Sequence, residues 1–270
     1  MKAQVKRRKQ AQQVVEMVRE IRLQMPRLGT RKLYHLLHPQ LKTMGVGRDR
    51  LFAILKANQM MIKPNRQYHI TTNSHHRFRK HKNLIEDHEV SRPEEVWVSD
   101  ITYVGTRSNP MYLALVTDAY SKKIMGYNVS DSLSTTGVIG ALKMALSKRE
   151  YQHPLIHHSD RGLQYCSDDY QKLLMSNKIV CSMTESYDPY ANAVAERVNG
   201  ILKHEFLIQK NKPVLKVMKA LIADSIEKYN YQRPHLSNHM LTPQRMHQQQ
   251  ELIIKTYKNK NRDRYNPAPV

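Results

Sequence analysis

The sequence predicts an α/β (α+β) protein: a mixed five-stranded sheet with flanking helices, preceded by a small helical domain. Three observations carry that expectation. From residue 94 onward the predicted elements run three strands, helix, strand, helix, strand, helix, the order of one mixed sheet with helices on its faces. Residues 11–58 place their apolar side chains at helical spacing rather than in alternation. The 270 residues suffice for about two domains at roughly 100–200 residues each.

The helical part reads as follows. AQQVVEMVREIRLQM (11–25) aligns Val14, Val15, Val18 and Ile21 on one face, and Pro26 ends it. Thr30 is the expected cap of TRKLYHLLH (30–38), where Leu33, Leu36 and Leu37 share a face. A turn at Gly45 and Gly47 leads into RDRLFAILKAN (48–58), which Arg48 and Arg50 enter. Two short helices joined through a glycine turn are similar to a helix-turn-helix, and equally to any small helical bundle. KPNRQYHITTNSHHRFRKHKN (63–83) is polar, basic and aperiodic. It reads as a linker, or as an arm that follows a phosphate backbone through Arg77, Arg79 and Lys80.

The sheet part begins with EEVWVSDITYV (94–104), MYLALVTDAYS (111–121) and KKIMGYNVS (122–130), β-rich runs separated by turn residues. A helix is expected over 134–150, a strand over 154–160, a helix over 167–177, a strand over 178–184 and an Ala-rich helix from about 190 to 208. PVLKVMKALIADSIEKYN (213–230) adds one amphipathic helix, and the tail after it reads as disordered. The expected segments are a basic N-terminal helix (1–25), a helix-turn-helix-like unit (26–62), a basic linker (63–90), the sheet core (91–208), a helical extension (209–252) and a basic tail (253–270).

Charge narrows the function classes. The net charge of +21 is divided unevenly: +14 over residues 1–90, −1 over 91–206 and +8 over 207–270. Basic flanks around a near-neutral centre suit a polyanionic partner, with the centre free to concentrate carboxylates. Cys166 and Cys181 are far apart and form no CxxC, which argues against a disulfide framework or a cysteine-rich zinc site. His69, His75, His76, His81 and His88 lack cysteine partners at finger spacing. No apolar run approaches the ~20 residues of a membrane span, so a soluble, cytoplasmic protein is expected, with no membrane partner.

Three carboxylates stand out by their company. Asp100 interrupts the apolar strand WVSDITY, Asp160 ends a strand at HHSDRG, and Glu196 lies in SYDPYANAVAERVNGILK on the Ala-rich helix. Singly, each reads as an ordinary exposed acid. If the first and fourth strands are neighbours, the two aspartates lie side by side. Small residues at 191, 193 and 195 then let the helix bring Glu196 close. Converging carboxylates repel unless a cation joins them, and hard oxygen donors suit Mg²⁺ or Mn²⁺. Lys203 and Asn192 share the helical face of Glu196, where a lysine reaches a phosphate. Asp118 is the rival ligand, with a turn-adjacent strand position as its plainer reading; Asp168 and Asp169 suit a helix start. His158 is expected to bond locally, Arg161 and Gly162 to shape the turn after Asp160, and Trp97 to lie in the core.

WVSDITY, HHSDRGLQY and PYANAVAERVNGILK resemble the three blocks of the DDE transposase and retroviral-type integrase catalytic core, with 35 residues between Asp160 and Glu196. YNYQRPHLSNHMLTP (229–243) resembles the closing motif of the second-reading-frame transposases of the insertion-sequence-three family. Ala191 stands where that family commonly has an acid, and Glu185 and Asp188 are acidic where it is basic or neutral. The resemblance covers about residues 25–250. It implies an RNase H-like core and two divalent ions, Mg²⁺ or Mn²⁺, held by catalytic Asp100, Asp160 and Glu196, with Lys203 on DNA. It further implies strand cleavage and strand transfer on double-stranded element ends and target, in a dimer or higher homo-oligomer among nucleoid DNA. An upstream-frame protein, fused or in trans, is a further implied partner. Two other readings stay open: a nuclease or ribonuclease H on the same core, and a non-enzymatic DNA-binding regulator.

Overall fold

The computed structural model describes residues 2–63, 81–86, 88–106, 109–184, 193–208 and 214–249. The N-terminal part holds four helices, α1 (Lys2–Gln24), α2 (Thr30–Leu36), α3 (His38–Thr43) and α4 (Arg48–Ala57). One apolar cluster serves all four: Val14 and Val18 of α1 meet Leu33 of α2, Leu41 of α3 and Leu51 and Leu55 of α4. The basic first helix therefore shares a core with the three that follow. Gly45 takes φ +66°, the left-handed conformation that turns the chain from α3 into α4.

Two local expectations are corrected here. Thr30 does not cap α2; Gly29 occupies the cap position, and Thr30 is the first helical residue, buried, with its hydroxyl toward the Met61 sulfur. The expected helix 30–38 ends at Leu36, and a separate helix α3 begins at His38. Pro39 lies in the first turn of α3, where its missing N–H costs nothing.

The second part is a five-stranded sheet of order β3-β2-β1-β4-β5. Its strands are β1 (Val96–Tyr103), β2 (Tyr112–Asp118), β3 (Ile124–Ser130), β4 (Ile156–Ser159) and β5 (Val180–Met183). β1–β2 and β2–β3 pair antiparallel; β1–β4 and β4–β5 pair parallel. Helices α5 (Thr135–Ser147), α6 (Leu163–Cys166) and α7 (Asp168–Ser176) cover one face. Helices α8 (Ala193–Glu205) and α9 (Leu215–Tyr231) cover the other. Burial on both sides explains the near-continuous apolar runs of β1 and β2.

Side chains alternate between these faces along each strand. Ala114 and Val116 enter the cluster under α5, while Leu113 and Leu115 enter the cluster under α8 and α9. Trp97, fully buried, joins the α5 side as expected, whereas Val96 and Val98 pack with Ala195 of α8. Gly126 marks the closest approach of α5 to the sheet: a Cβ there would overlap the Ala141 carbonyl and come within 2.6 Å of Ala145 N.

The C-terminal segment closes the fold. After α9 come a 3-10 turn (Leu236–Asn238) and α10 (Pro243–His247). Asn230 serves both main-chain groups of Ile124 on β3, accepting from its N–H at 2.9 Å and donating to its carbonyl at 3.0 Å. Tyr229 OH donates to the Lys122 carbonyl and Asn238 Nδ2 to that of Ser121. Arg233, 1% exposed, makes two 2.8 Å bonds to Glu205 at the end of α8. The same carboxylate takes Lys32 Nζ from α2 at 3.1 Å. Among the described residues no helix is long and apolar enough to cross a membrane. The expected tail 253–270 lies outside the described residues.

Candidate active site

The register of β1 on β4 builds the site. Trp97 pairs with His157 and Ser99 with Ser159, so the next step along each strand brings Asp100 beside Asp160. Across the other edge of β1, Asp100 pairs with Leu115, which faces α8 and α9. Asp100 therefore points to the α8 side of the sheet, as do Val96 and Val98 before it. Ala195, the small residue expected to permit a close helix, is buried against those valines and brings the first turn of α8 onto β1. Ala193 is exposed instead, and Ala191 lies outside the described residues.

The electrostatics match this placement. Burial, and then the Asp160 carboxylate, push Asp100 up to about 7, with Glu196 adding a smaller push in the same direction. Opposing them, Asn199 Nδ2 donates to Asp100 Oδ2 at 2.6 Å. Asp160 Oδ1 accepts from Gly162 N at 3.0 Å, so the glycine shapes the turn as the sequence suggests. Glu196 sits in the first turn of α8, is exposed, and is raised by partial burial. Lys203, half-buried two turns on, is lowered by burial while the Asp100 charge acts to raise it. Asp100 thus lies within the electrostatic reach of Asp160, Glu196 and Lys203, although among the described residues no three His, Cys, Asp or Glu side chains already form a metal-ligating group.

The donor set still fits a divalent cation. Asp100 and Asp160 are like charges held together, half-buried, where β1 meets the end of β4, all their donors are oxygens, and Asn199 Oδ1 is buried without a hydrogen-bond partner. Asn199 is the residue that reading the sequence missed. Its signal was present: it lies three positions after Glu196, on an adjacent face of the same helix.

The remaining expected residues divide. Asp118 is fully buried at the far end of β2, accepting from Glu94 N, Ser121 N and Ser121 Oγ. It belongs to a clasp around His247, which also meets Glu94 at 3.3 Å. Asp118 pairs with Trp97, three residues before Asp100, and serves the structure rather than this site. His158 bonds locally to Ser182 Oγ, as expected. Asp168 and Asp169 open α7. Arg48 and Arg50 stand exposed at the start of α4, Arg48 beside Asp49 and Arg50 beside Gln10. Asn192, Arg77, Arg79, Lys80, Glu185 and Asp188 lie outside the described residues.

Two profiles of the integrase core domain match, over residues 90–189 and 177–243. The chain is 34% identical to the 31 kDa protein of insertion element IS600 from Shigella sonnei, over 80% of this chain and 82% of that one. It is 33% identical to transposase InsF of insertion sequence IS3A from Escherichia coli K12, over 68% of this chain and 64% of InsF. The chain belongs to the DDE transposases of the insertion-sequence-three family. Transposases of this kind are polynucleotidyl transferases built on an RNase H-like core. The fold of the simian T-cell lymphotropic virus intasome agrees, with a TM-score of 0.50 at 20% identity, over 90% of this chain and 78% of the viral one. In this transposase the sheet, α8 and the 229–243 motif fall inside the two matched regions.

Proposed function

We propose that Asp100, Asp160 and Glu196 are the catalytic carboxylates of the transposase and together hold two divalent cations, Mg²⁺ or Mn²⁺. The observation that carries this reading is the β1–β4 register, which puts Asp100 next to Asp160 on the face that α8 covers. The cations, when bound, activate the attacking oxygen and stabilise the leaving oxygen of a phosphodiester. The residues do the rest. Asp100 and Asp160 hold their oxygens in line along two parallel strands. Asn199 fixes the rotamer of Asp100 through its 2.6 Å bond. Lys203 draws a DNA phosphate toward the carboxylates. The reaction is cleavage at an element end, freeing a 3′-OH that then attacks a second phosphodiester.

Helices α2–α4 serve as the DNA-engaging unit, with Arg48 and Arg50 exposed at the start of α4. The chain works as a homo-oligomer on double-stranded element ends and target, alone or with an upstream-frame protein. Arg77, Arg79, Lys80 and Asn192 are further DNA contacts.

A labelled element-end duplex, incubated with Mg²⁺ or Mn²⁺ and this chain, with and without its upstream-frame partner, tests the reading. Both cut and joined products are expected. Asp100→Asn, Asp160→Asn and Glu196→Gln should each lower the rate by on the order of 10³ or more, about 4 kcal/mol of barrier. Cutting without joining would indicate a nuclease, and triad variants with undiminished activity would end the assignment.

A further inference from the structure

Among the described residues, the helical part of the chain bonds to the sheet core at the last turn of α8. Arg27, in the turn between α1 and α2, donates its main-chain N–H to the Glu205 carbonyl at 3.0 Å. Lys32 and Arg233 both bind the Glu205 carboxylate, at 3.1 and 2.8 Å. Phe206 packs against the apolar clusters of both parts. The Arg27 turn is thereby fixed against the segment that carries Lys203 and His204.

This joint has an excess of positive charge. Glu205 is one carboxylate answering two cations. Arg27, Lys203 and Arg197 make no ion pair with any carboxylate among the described residues. Arg27 spends one guanidinium N–H on the Lys63 carbonyl, which orients it without neutralising it. His204 is lowered by burial and then by Lys203 and Arg27, so the three basic side chains share one neighbourhood. Lys203 and His204 also lie in the last turn of α8, where cations offset the helix dipole. Arg27 lies on no helix, and that explanation does not reach it.

We infer that the seam between the helical part and the core is a phosphate-binding track, in which Arg27 and Lys203 hold one stretch of DNA backbone as it approaches Asp100 and Asp160. The helical part then contributes directly to the substrate path at its own core. The main-chain bond from Arg27 to Glu205 and the grip of Lys32 set the spacing of the two cations. This inference rests on the DNA reading above and adds a residue to it.

The test measures binding of a fluorescein-labelled, mixed-sequence DNA duplex by anisotropy between about 50 and 200 mM salt, where each neutralised phosphate contributes about 0.9 to the slope of log Kobs against log salt. The full chain, Arg27→Ala, Arg27→Lys, Lys203→Ala and the double alanine variant are compared, with thermal melts of each. Arg27→Ala and Lys203→Ala should each lower the slope by about 0.9 and the double variant by about twice that, while Arg27→Lys keeps it. Unchanged melting temperatures with reduced slopes support the track. A slope unchanged in Arg27→Ala, in a chain that binds DNA and responds to Lys203→Ala, overturns this inference and leaves the wider reading standing. No binding by the full chain overturns both.

Discussion

Asn199 Nδ2 lies 2.6 Å from Asp100 Oδ2 and joins the helix that carries Glu196 to the strand that carries the first aspartate. The bond reaches from α8 to β1, so it reports whether the two elements are in register. Replacing Asn199 by Ala should leave the fold intact and reduce strand cleavage about 10- to 100-fold, the usual cost of losing a group that orients a metal ligand. The divalent-ion concentration for half-maximal activity should rise with it. A cleavage assay over a Mg²⁺ titration checks both.

Asp100 and Asp160 repel while no cation joins them. The folded-state pKa of Asp100, about 7, exceeds its ordinary 3.8, so ionisation weakens the fold as pH rises between those values. Mg²⁺ or Mn²⁺ should therefore raise the melting temperature at neutral pH, by about 2.7 kcal/mol of stability when the ion is at 100 times its Kd. Asp100→Asn should raise the melting temperature in EDTA and lose most of the ion-induced increase. Differential scanning fluorimetry with EDTA and ion arms checks this.

His157 behaves in the opposite sense. Fully buried, with Nε2 2.7 Å from Ser99 Oγ and 2.8 Å from Tyr170 OH, it is lowered to about 3 by burial and then by His158. The unfolded chain takes up a proton near 6.5 that the folded one refuses, so this group's stability is present above 6.5 and lost as pH falls toward 3. Each unit of that shift corresponds to roughly 1.4 kcal/mol. His157→Gln should flatten the acid limb of a urea-stability profile between those pH values.

Arg233 and Glu205 form a nearly enclosed pair, with Arg233 also 5.7 Å from the centre of the Tyr229 ring. Arg233→Ala leaves Glu205 facing only Lys32, and the loss should be about 3–5 kcal/mol in urea denaturation. Arg233→Lys cannot restore the two parallel bonds and should recover only part of it.

Much of this was legible in the chain. The β-rich runs and the order of elements pointed to the sheet, because faces buried by helices demand continuous apolar runs at β1 and β2. The pairing of Asp100 with Asp160 was legible only from the expected strand order, since singly each reads as an ordinary exposed acid and Asp118, in an equally apolar run, serves the structure. The Glu205 joint was not: its partners Lys32 and Arg233 lie 173 and 28 residues away, and no local pattern records such pairing. The clasp of Glu94, Asp118 and His247 was hidden for the same reason, since charged residues are usually exposed. Helix α3 was not legible, because it is only six residues long and its first residue, His38, closes the helix expected over 30–38.

The side chain of Asn230 imitates a sixth strand for one residue of β3. A chain shortened to end after α8 would present Ile124 with open main-chain groups, and a bare outer strand recruits copies of itself. Trimmed versions of the core made for crystallisation or biochemistry should therefore run through α9 and keep Asn230. Those that stop earlier are expected to precipitate as β-rich aggregates, even with every acidic residue of the active centre in place.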